Sequence, residues 1–575
     1  MEGQKKQQWG VTKPILEAHP TEADLKLNDQ LVETLKRENN FETPEGSENR
    51  TRVLNLLQEA GYKFVRHVAT EKKLPPSTVE NCGCKIFTFG SYALGAYGPT
   101  SDIDTLLVGP KHITLDDYFK YFPDILRGMV PASDITEFTP VPGAYVPIIK
   151  MELMGIAIDL IYASIVSKST IEKDFDLGEK GILRGLDDTA MRTVNGTRVT
   201  KELLQAVPQV KSFRLALRAV KLWSTQRAIY GAVFGYPGGV AWAIMVARIC
   251  QLYPFACGAT ILSKFFNLMF KWSWPKPVML KLIEEGTMNL RVWNPAISHG
   301  DRSHLMPIIT PAFPSMCATH TVMQFTKSIM MEEFERADKV LAAIHSGKKT
   351  WIDLFERHTF FTKDHKYYLS VIAASRTKAA DDVFAGLVQS KFRLLVKGIE
   401  DGDAGVERAR PYMKGIDRVH RCENEDQIER VVQGNLDYQV KKGDLTTTNG
   451  TSNDDKEYHT IYTTTFYVGL TLPEGATRSL DISFPVADFK RLITSSDIYD
   501  EDLMSVRVVH TRNYQLPDDL FLPGEQKPIR EKKKKSSGRT EKRKFTESGL
   551  EDSQPLPSKR LQSAQPNGVP TATPA

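Results

Sequence analysis

Two aspartates one residue apart, Asp102 and Asp104, stand in the otherwise apolar or small-residue stretch FGSYALGAYGPTSDIDTLL, residues 89–107. On a strand, side chains alternate between faces, so both carboxylates leave from one side, and Ile103 and Thr105 leave from the other. Like charges that close repel unless something positive lies between them. A pair of divalent cations about 3.5–4 Å apart is the natural occupant of such a site. Two carboxylates are few for two ions, which predicts a third acid on a neighbouring strand. The run GIAIDLIYA supplies Asp159, set among Ile156, Ile158, Leu160 and Ile161, where a lone charge would be costly and coordination compensates for it. Just upstream, KIFTFG reads as a strand that Gly90-Ser91 breaks into a turn opening a short helix. Free amides at such a helix start can cradle a phosphate, and the Ser91 hydroxyl is one more donor. Together these residues imply metal-assisted transfer from a triphosphate: one ion acidifies an attacking hydroxyl and the second steadies the departing pyrophosphate.

Such a constellation needs a sheet to hold it. Between residues 85 and 165 the sequence is written in short β-branched runs bounded by Gly and Pro: KIFTFG, IDTLLVG, AYVPIIKMELM and IAIDLIYASIV. They predict a sheet flanked by helices. Two of those helices precede it, one opened by Thr21 with Asp24 and one carrying Val53, Leu56 and Leu57. From about Pro208 to His345 the period becomes helical, with Gly347 placed to end the last helix. Strands then return as KYYLSVIAAS, YTTTFYVGLTL and LMSVRVVHTR around a helical stretch from Ala380, an α+β pattern. The polar stretch from Lys441 reads as a mobile insertion, and the chain beyond Pro523 as disordered. The boundaries expected are 1–205, 206–349, 350–523 and 524–575.

A chain of 575 residues exceeds what one hydrophobic core supports. Its longest apolar run, GGVAWAIMVA from Gly238, is too short to span a bilayer, and the N-terminus has no apolar signal segment. A membrane role is therefore not expected. The six scattered cysteines read as buried free thiols, Cys82 and Cys84 included, because no second Cys or His pair stands at zinc spacing. Of the formal charge of +5, residues 526–575 hold 12 Lys/Arg against 5 Asp/Glu, so the body is nearly neutral. Any nucleic-acid site must be a local basic cleft.

An apolar residue, Gly90-Ser91, ten residues and then Asp102-Ile103-Asp104 resembles the signature of the DNA polymerase β-like nucleotidyltransferase superfamily. The blocks AYVPIIK, NGTRVT, FRLALRAVKLW, GYPGGVAWAIMVARICQLYP and DRSHLMPIITPAFPSMCATH extend that likeness to the eukaryotic nuclear poly(A) polymerases, from about residue 9 to about 515. The resemblance implies a multidomain α+β fold: a mixed-sheet nucleotidyltransferase domain, a helical middle domain, an RNA-recognition-like α+β third domain and a basic disordered tail. It implies template-independent transfer of AMP from ATP to an RNA 3′ hydroxyl, two Mg2+ or Mn2+ ions held by Asp102, Asp104 and Asp159, a monomer, recruitment by the cleavage and polyadenylation factors, and the nucleus as workplace. The tail KPIREKKKKSSGRTEKRKF from Lys527, with its two basic clusters, reads as a bipartite import signal.

The same resemblance assigns nucleotide contacts to Phe89, Gly90 and Ser91, to Asn195 near the ribose, to Lys221 and Tyr230 at the phosphates, and to Gly239, Val240 and Met316 around the adenine. Tyr145 and Lys150 are assigned to the RNA primer. Read without it, the cations Lys211, Arg214, Arg218 and Lys221 form a stripe that would ordinarily be a solvated helix face. Asn195-Gly196 would be a turn, and Met316 ordinary core. One departure stands out: the family carries an asparagine two residues after the phosphate-contacting tyrosine, and here that position is Ala232. Two other readings fit the residues, a uridylyl- or CCA-adding transferase and an RNA-binding scaffold with a retired site.

Overall fold

Thr21 opens the first helix, α1 (Glu22–Arg37). Its hydroxyl accepts from the Asp24 amide at 3.2 Å, while the Asp24 carboxylate accepts from the Thr21 amide at 2.9 Å, a reciprocal cap that satisfies two otherwise orphaned donors. In this computed structural model the described residues are 8–284, 288, 290–402, 405–440, 458–475 and 481–530. They belong to the unit Met1–Ile529, apart from Arg530. The polar stretch 441–457 and the tail from 531, with most of the basic clusters, lie outside them.

After α2 (Pro44–Glu71) come β1 (Lys85–Thr88), the short α3 (Gly90–Leu94), β2 (Ile103–Pro110), α4 (Leu115–Arg127), β3 (Ile135–Val141), β4 (Ile148–Leu153), β5 (Ile156–Ile165) and α5 (Asp188–Gln205). The five strands form one mixed sheet in the order β1-β2-β5-β4-β3, parallel only at β2–β5. Helices α2 and α4 cover one face, where Phe64, Tyr118, Phe122 and Tyr162 meet ring to ring. Leu106, Val108, Ile161 and Ala163 pack with Val194 of α5 on the other. Burial on both sides explains why IDTLLVG and IAIDLIYASI are nearly continuous apolar runs. The sequence patterns gave no strand at β3, an edge strand with Pro140 and two exposed acidic or polar positions, because its alternation is broken by a register shift.

The middle of the chain is helical: α6 (Val210–Gln226), α7 (Gly239–Leu252), α8 (Gly258–Lys271) and α9 (Gln324–His345). Every residue of α7 from Ala241 to Leu252 is buried, which is why that segment is apolar on every side except at Arg248 and Gln251, which bond each other at 3.0 Å. Gly347, at φ 73°, follows α9 in the left-handed conformation expected of a helix-ending glycine. The third segment is an antiparallel sheet in the order β10 (Met504–Arg512), β6 (Tyr367–Ser375), β9 (His459–Thr471), β7 (Arg408–Pro411), with β8 (Ile416–Cys422) also on β9. Helices α10 (Lys378–Asp401) and α12 (Ser483–Thr494) pack against it, and α11 (Glu425–Val432) lies with β8.

The middle helices and third sheet share one core. The Phe234 ring lies 6.0 Å from Phe392 and 6.4 Å from Phe466. Two buried charges add to this junction: Arg227 donates to both oxygens of Glu333 at 2.9 Å, and its carbonyl accepts from Arg410 at 2.9 Å. The mixed-sheet, helical and α+β segments expected from the sequence are all present. All six cysteines are buried free thiols, and among the described residues no helix is long and apolar enough to cross a membrane.

Candidate active site

Strand register brings the acids together. Asp104 of β2 stands opposite Asp159 of β5 in the parallel pair, and Asp102 lies just ahead of β2. One ligand oxygen from each of the three falls within 4.8 Å of the others; among the described residues this is the one cluster of three acidic, histidine or cysteine side chains with such spacing. Burial, the charges of Asp102 and Asp159, and their insufficient offset by Lys221 push the Asp104 carboxyl up to about 7. Asp159 is raised as well, chiefly by burial, against the favourable charge of Lys150. Such frustrated carboxylates, oxygen donors with no adequate cationic partner of their own, fit a divalent cation.

Gly90 sits against this cluster at φ 63°. A Cβ there would lie 2.9 Å from Cγ of Asp104 and overlap its Oδ2, so only glycine lets β1 turn into α3 this close to the acid. The Phe89 amide donates to the Asp104 carbonyl at 3.1 Å, extending the β1–β2 ladder to the turn. Ser91 occupies the second position of α3, which ends at Gly95, φ 72°.

Asn195 is not in a turn. It lies inside α5, capped by Asp187 and buried along Thr193, Thr197, Thr200 and Leu203 at spacings of four and three, and that packing overrides the Asn-Gly preference. Gly196 is needed because a Cβ would come 2.9 Å from the Phe89 ring. The Asn195 Oδ1 is buried with no hydrogen-bond partner among the described residues, an acceptor left open.

Lys221 donates to the Ala96 carbonyl at 3.1 Å, and burial holds its ammonium below the usual lysine range while Asp102 and Asp104 draw it up. Tyr230 is raised by burial and by the same two acids. Its hydroxyl lies 2.8 Å from where a Gly239 Cβ would be, so Tyr230 and Gly239 face one another, and Val240 stands exposed at the start of α7. Of the rest of the stripe, Lys211 and Arg214 are exposed and Arg218 is buried. Arg214 donates to the Leu94 carbonyl at 2.9 Å, and Arg218, 8% exposed, donates to those of Gly95, Tyr97 and Asn40. With Lys221, these cations grip four successive carbonyls, Leu94 to Tyr97. The i, i+3/i+4 spacing was visible in the sequence; carbonyl partners more than a hundred residues away carry no sequence signal.

Lys150 lies within β4, opposite Asp159. Tyr145 is in the turn ahead of that strand, which begins only at Ile148 because Pro147 has no amide to give. Its ring is 78% exposed beneath the Arg192 guanidinium, 4.2 Å away, a pairing the sequence patterns did not single out. Met316 lies on the 310–317 loop, its amide and carbonyl bonded to Thr310. Among the described residues no hydrogen bond or ring contact ties it to the acids.

A glycine-serine turn, one acid at the entry to a strand, a second within it and a third across a parallel register define a nucleotidyltransferase centre. Three family models cover the chain in sequence: the poly(A) polymerase nucleotidyltransferase domain over residues 10–207, the poly(A) polymerase central domain over 212–357, and the poly(A) polymerase predicted RNA binding domain over 359–530. Poly(A) polymerase pla1 of Schizosaccharomyces pombe is 42% identical over 551 residues, 92% of this chain and 96% of its own. Poly(A) polymerase PAPa of Candida albicans is also 42% identical, over 541 residues with the same coverage. The Dictyostelium discoideum poly(A) polymerase is 37% identical over 92% of this chain and 61% of its own length. A solved Cid1 poly(U) polymerase with Mg 3′-dATP bound covers 58% of this chain and 99% of its own at 15% identity and a TM-score of 0.40, too distant to carry an argument. The chain belongs to the eukaryotic poly(A) polymerases, and it is a nucleotidyltransferase enzyme.

Proposed function

We propose that this chain carries out template-independent poly(A) addition, moving AMP from ATP to an RNA 3′ hydroxyl and releasing pyrophosphate, with Asp102, Asp104 and Asp159 as its metal ligands. The observation that carries the assignment of these residues is the Asp104–Asp159 register beside a glycine that no other residue can replace without displacing Asp104. Two magnesium or manganese ions, when bound, would lower the pKa of the attacking hydroxyl and offset triphosphate charge. The chain's own residues do the rest. The Ser91 hydroxyl and amides of the α3 turn, the Lys221 ammonium and the Tyr230 phenol donate to the triphosphate. Asn195 Oδ1 accepts from a ribose hydroxyl, and Gly239, Val240 and Met316 border the adenine. Ala232 offers the base no amide, so adenine selection rests on shape and on other groups. Tyr145, held flat by Arg192, stacks on the primer base, and Lys150 meets the primer's charge beside Asp159.

The nucleotide and RNA are then the direct partners, and the protein acts as a monomer recruited by the cleavage and polyadenylation factors. The paired basic clusters from Lys527 support nuclear residence; deleting 527–545 should leave a tagged protein in the cytoplasm, and unchanged nuclear accumulation would refute the import signal. The reaction itself is tested by extension of an end-labelled oligoadenylate with magnesium and each nucleoside triphosphate separately. Extension by ATP alone, abolished in Asp104→Ala, is expected. Extension by UTP or CTP would reassign the substrate.

A further inference from the structure

The first two turns of α6 face a groove that the reaction does not use. Its volume is about 410 Å³, and Lys211, Arg214 and Arg218 line it together with Asn28, Phe41 and the start of α8. None of the three cations lies within 4 Å of a carboxylate among the described residues. The polar partners of Arg214 and Arg218 are main-chain carbonyls. Two helices also begin here. The N-cap of α6, Gln209, and that of α8, Cys257, make no side-chain capping bond, so both positive helix ends add to the same field. Asn28 Oδ1 takes one amide of α8, that of Ala259, at 3.2 Å. Asp24, whose carboxylate accepts from Thr260 of α8, is also engaged by Thr21 and is not part of the groove lining. Three cationic side chains and two helix starts thus surround a cavity with no negative charge of its own, an arrangement that attracts anions.

The spacing of the cations says which anion. Lys211 and Arg218 are seven residues apart on one helix face, about 10 Å along the axis. That length suits linked phosphates better than a single carboxylate, and guanidinium forks match phosphate oxygens. Gly95, where α3 ends, also lines the groove, and Lys221 lies one turn along α6 from Arg218, whereas Tyr145 and Lys150 are on or before β4, across β2 and β5 from β1. It is therefore on the triphosphate side and not the primer side.

We propose that this groove is a second oligophosphate site, separate from the acid cluster, which binds inorganic pyrophosphate or the triphosphate of a nucleotide. Because Arg214 and Arg218 also hold the Leu94, Gly95 and Tyr97 carbonyls, a ligand there competes for the N–H groups that fix the turn between α3 and β2. The inference goes beyond the proposed reaction, and it is tested without it.

Titration calorimetry of the full chain with pyrophosphate in EDTA removes metal-dependent binding at the acids. One saturable site is expected to remain. Lys211→Glu, at an exposed position, and Ser212→Asp should each weaken it at least tenfold, whereas Asp104→Ala and Lys221→Ala leave it in place. ATP binding as tightly as pyrophosphate would make a nucleotide's triphosphate the source; pyrophosphate alone, with AMP silent, would make it the released product. No saturable binding in EDTA, binding lost in Lys221→Ala but not in Lys211→Glu, or displacement by oligoadenylate but not by ATP would each overturn the proposal.

Discussion

Replacing Gly90 with alanine tests how the acid cluster is built. At φ 63° the new Cβ overlaps Oδ2 of Asp104 and stands 2.9 Å from its Cγ. Two costs follow. A non-glycine residue in the left-handed region costs about 1–2 kcal/mol, and the carboxylate must withdraw, where misplacement by ~1 Å at a reacting centre can cost about 10²-fold in rate. Gly155→Ala separates them, because Gly155 has φ 76° with nothing within 4 Å of its Cβ position; it carries the strain alone. Both variants should lose similar stability in urea unfolding. In single-nucleotide extension at saturating ATP, Gly90→Ala should fall about a hundredfold, with part of the loss recovered at raised magnesium, since a displaced ligand weakens metal affinity. Gly155→Ala should stay near wild type. A Gly90→Ala rate within threefold of wild type, or equal losses in both variants, would refute the view that this glycine sets the position of Asp104.

Three further outcomes are expected. In EDTA the folded Asp104 carboxyl keeps its proton to about pH 7, whereas the unfolded one loses it near its ordinary value of 3.8. The folded state therefore binds more protons between those values and loses stability as pH rises through them. Asp104→Asn removes this loss, so its stability advantage should grow from pH 4 to 7, toward an upper limit of about 4 kcal/mol before solvent screening, and a pH-independent difference between the two unfolding midpoints would contradict it. Asn195→Ala should cost little stability, because its Oδ1 has no partner to lose; an ATP KM raised about tenfold and weaker discrimination against deoxyribose are expected, given the worth of one hydrogen bond to a sugar, and an unchanged KM would remove it from the nucleotide site. Arg227→Ala strands Glu333 with both carboxylate oxygens unpaired at the junction with the third sheet. About 3–5 kcal/mol should be lost, and a loss under 1 kcal/mol by urea unfolding would show that the pair is not effectively buried.

The chemistry was legible where its residues lie close in the chain or on strands of regular period. The pairing of Asp102 with Asp104 follows from alternation, and the need for Asp159 from the cost of a bare charge in an apolar run; the register between β2 and β5 then met both demands. What escaped was set by distant contacts. Asn195 reads as a turn until the Asp187 cap and the buried stripe of α5 are seen to fix a helix there. Arg218 reads as solvated because nothing nearby announces the Gly95 and Tyr97 carbonyls, and Arg192 acquires a role only when Tyr145 is placed under it. Strand β3 was obscured by its shifted register and Pro140, and the division of the third sheet's faces depends on helices packed from both sides.

The grip of α6 on residues 94–97 bears on how this enzyme can be taken apart. A fragment ending at residue 205 would retain all three acids and the sheet that aligns them. It would also leave four carbonyls without Arg214, Arg218 and Lys221, and lose the ammonium assigned to the phosphates. The helix therefore belongs to two territories at once, supplying structure to the turn behind the acids and chemistry in front of them. Grafting the catalytic sheet onto another partner would transfer the ligands for metal but not the hold on the nucleotide, and any chimera must carry its boundary past Gln226.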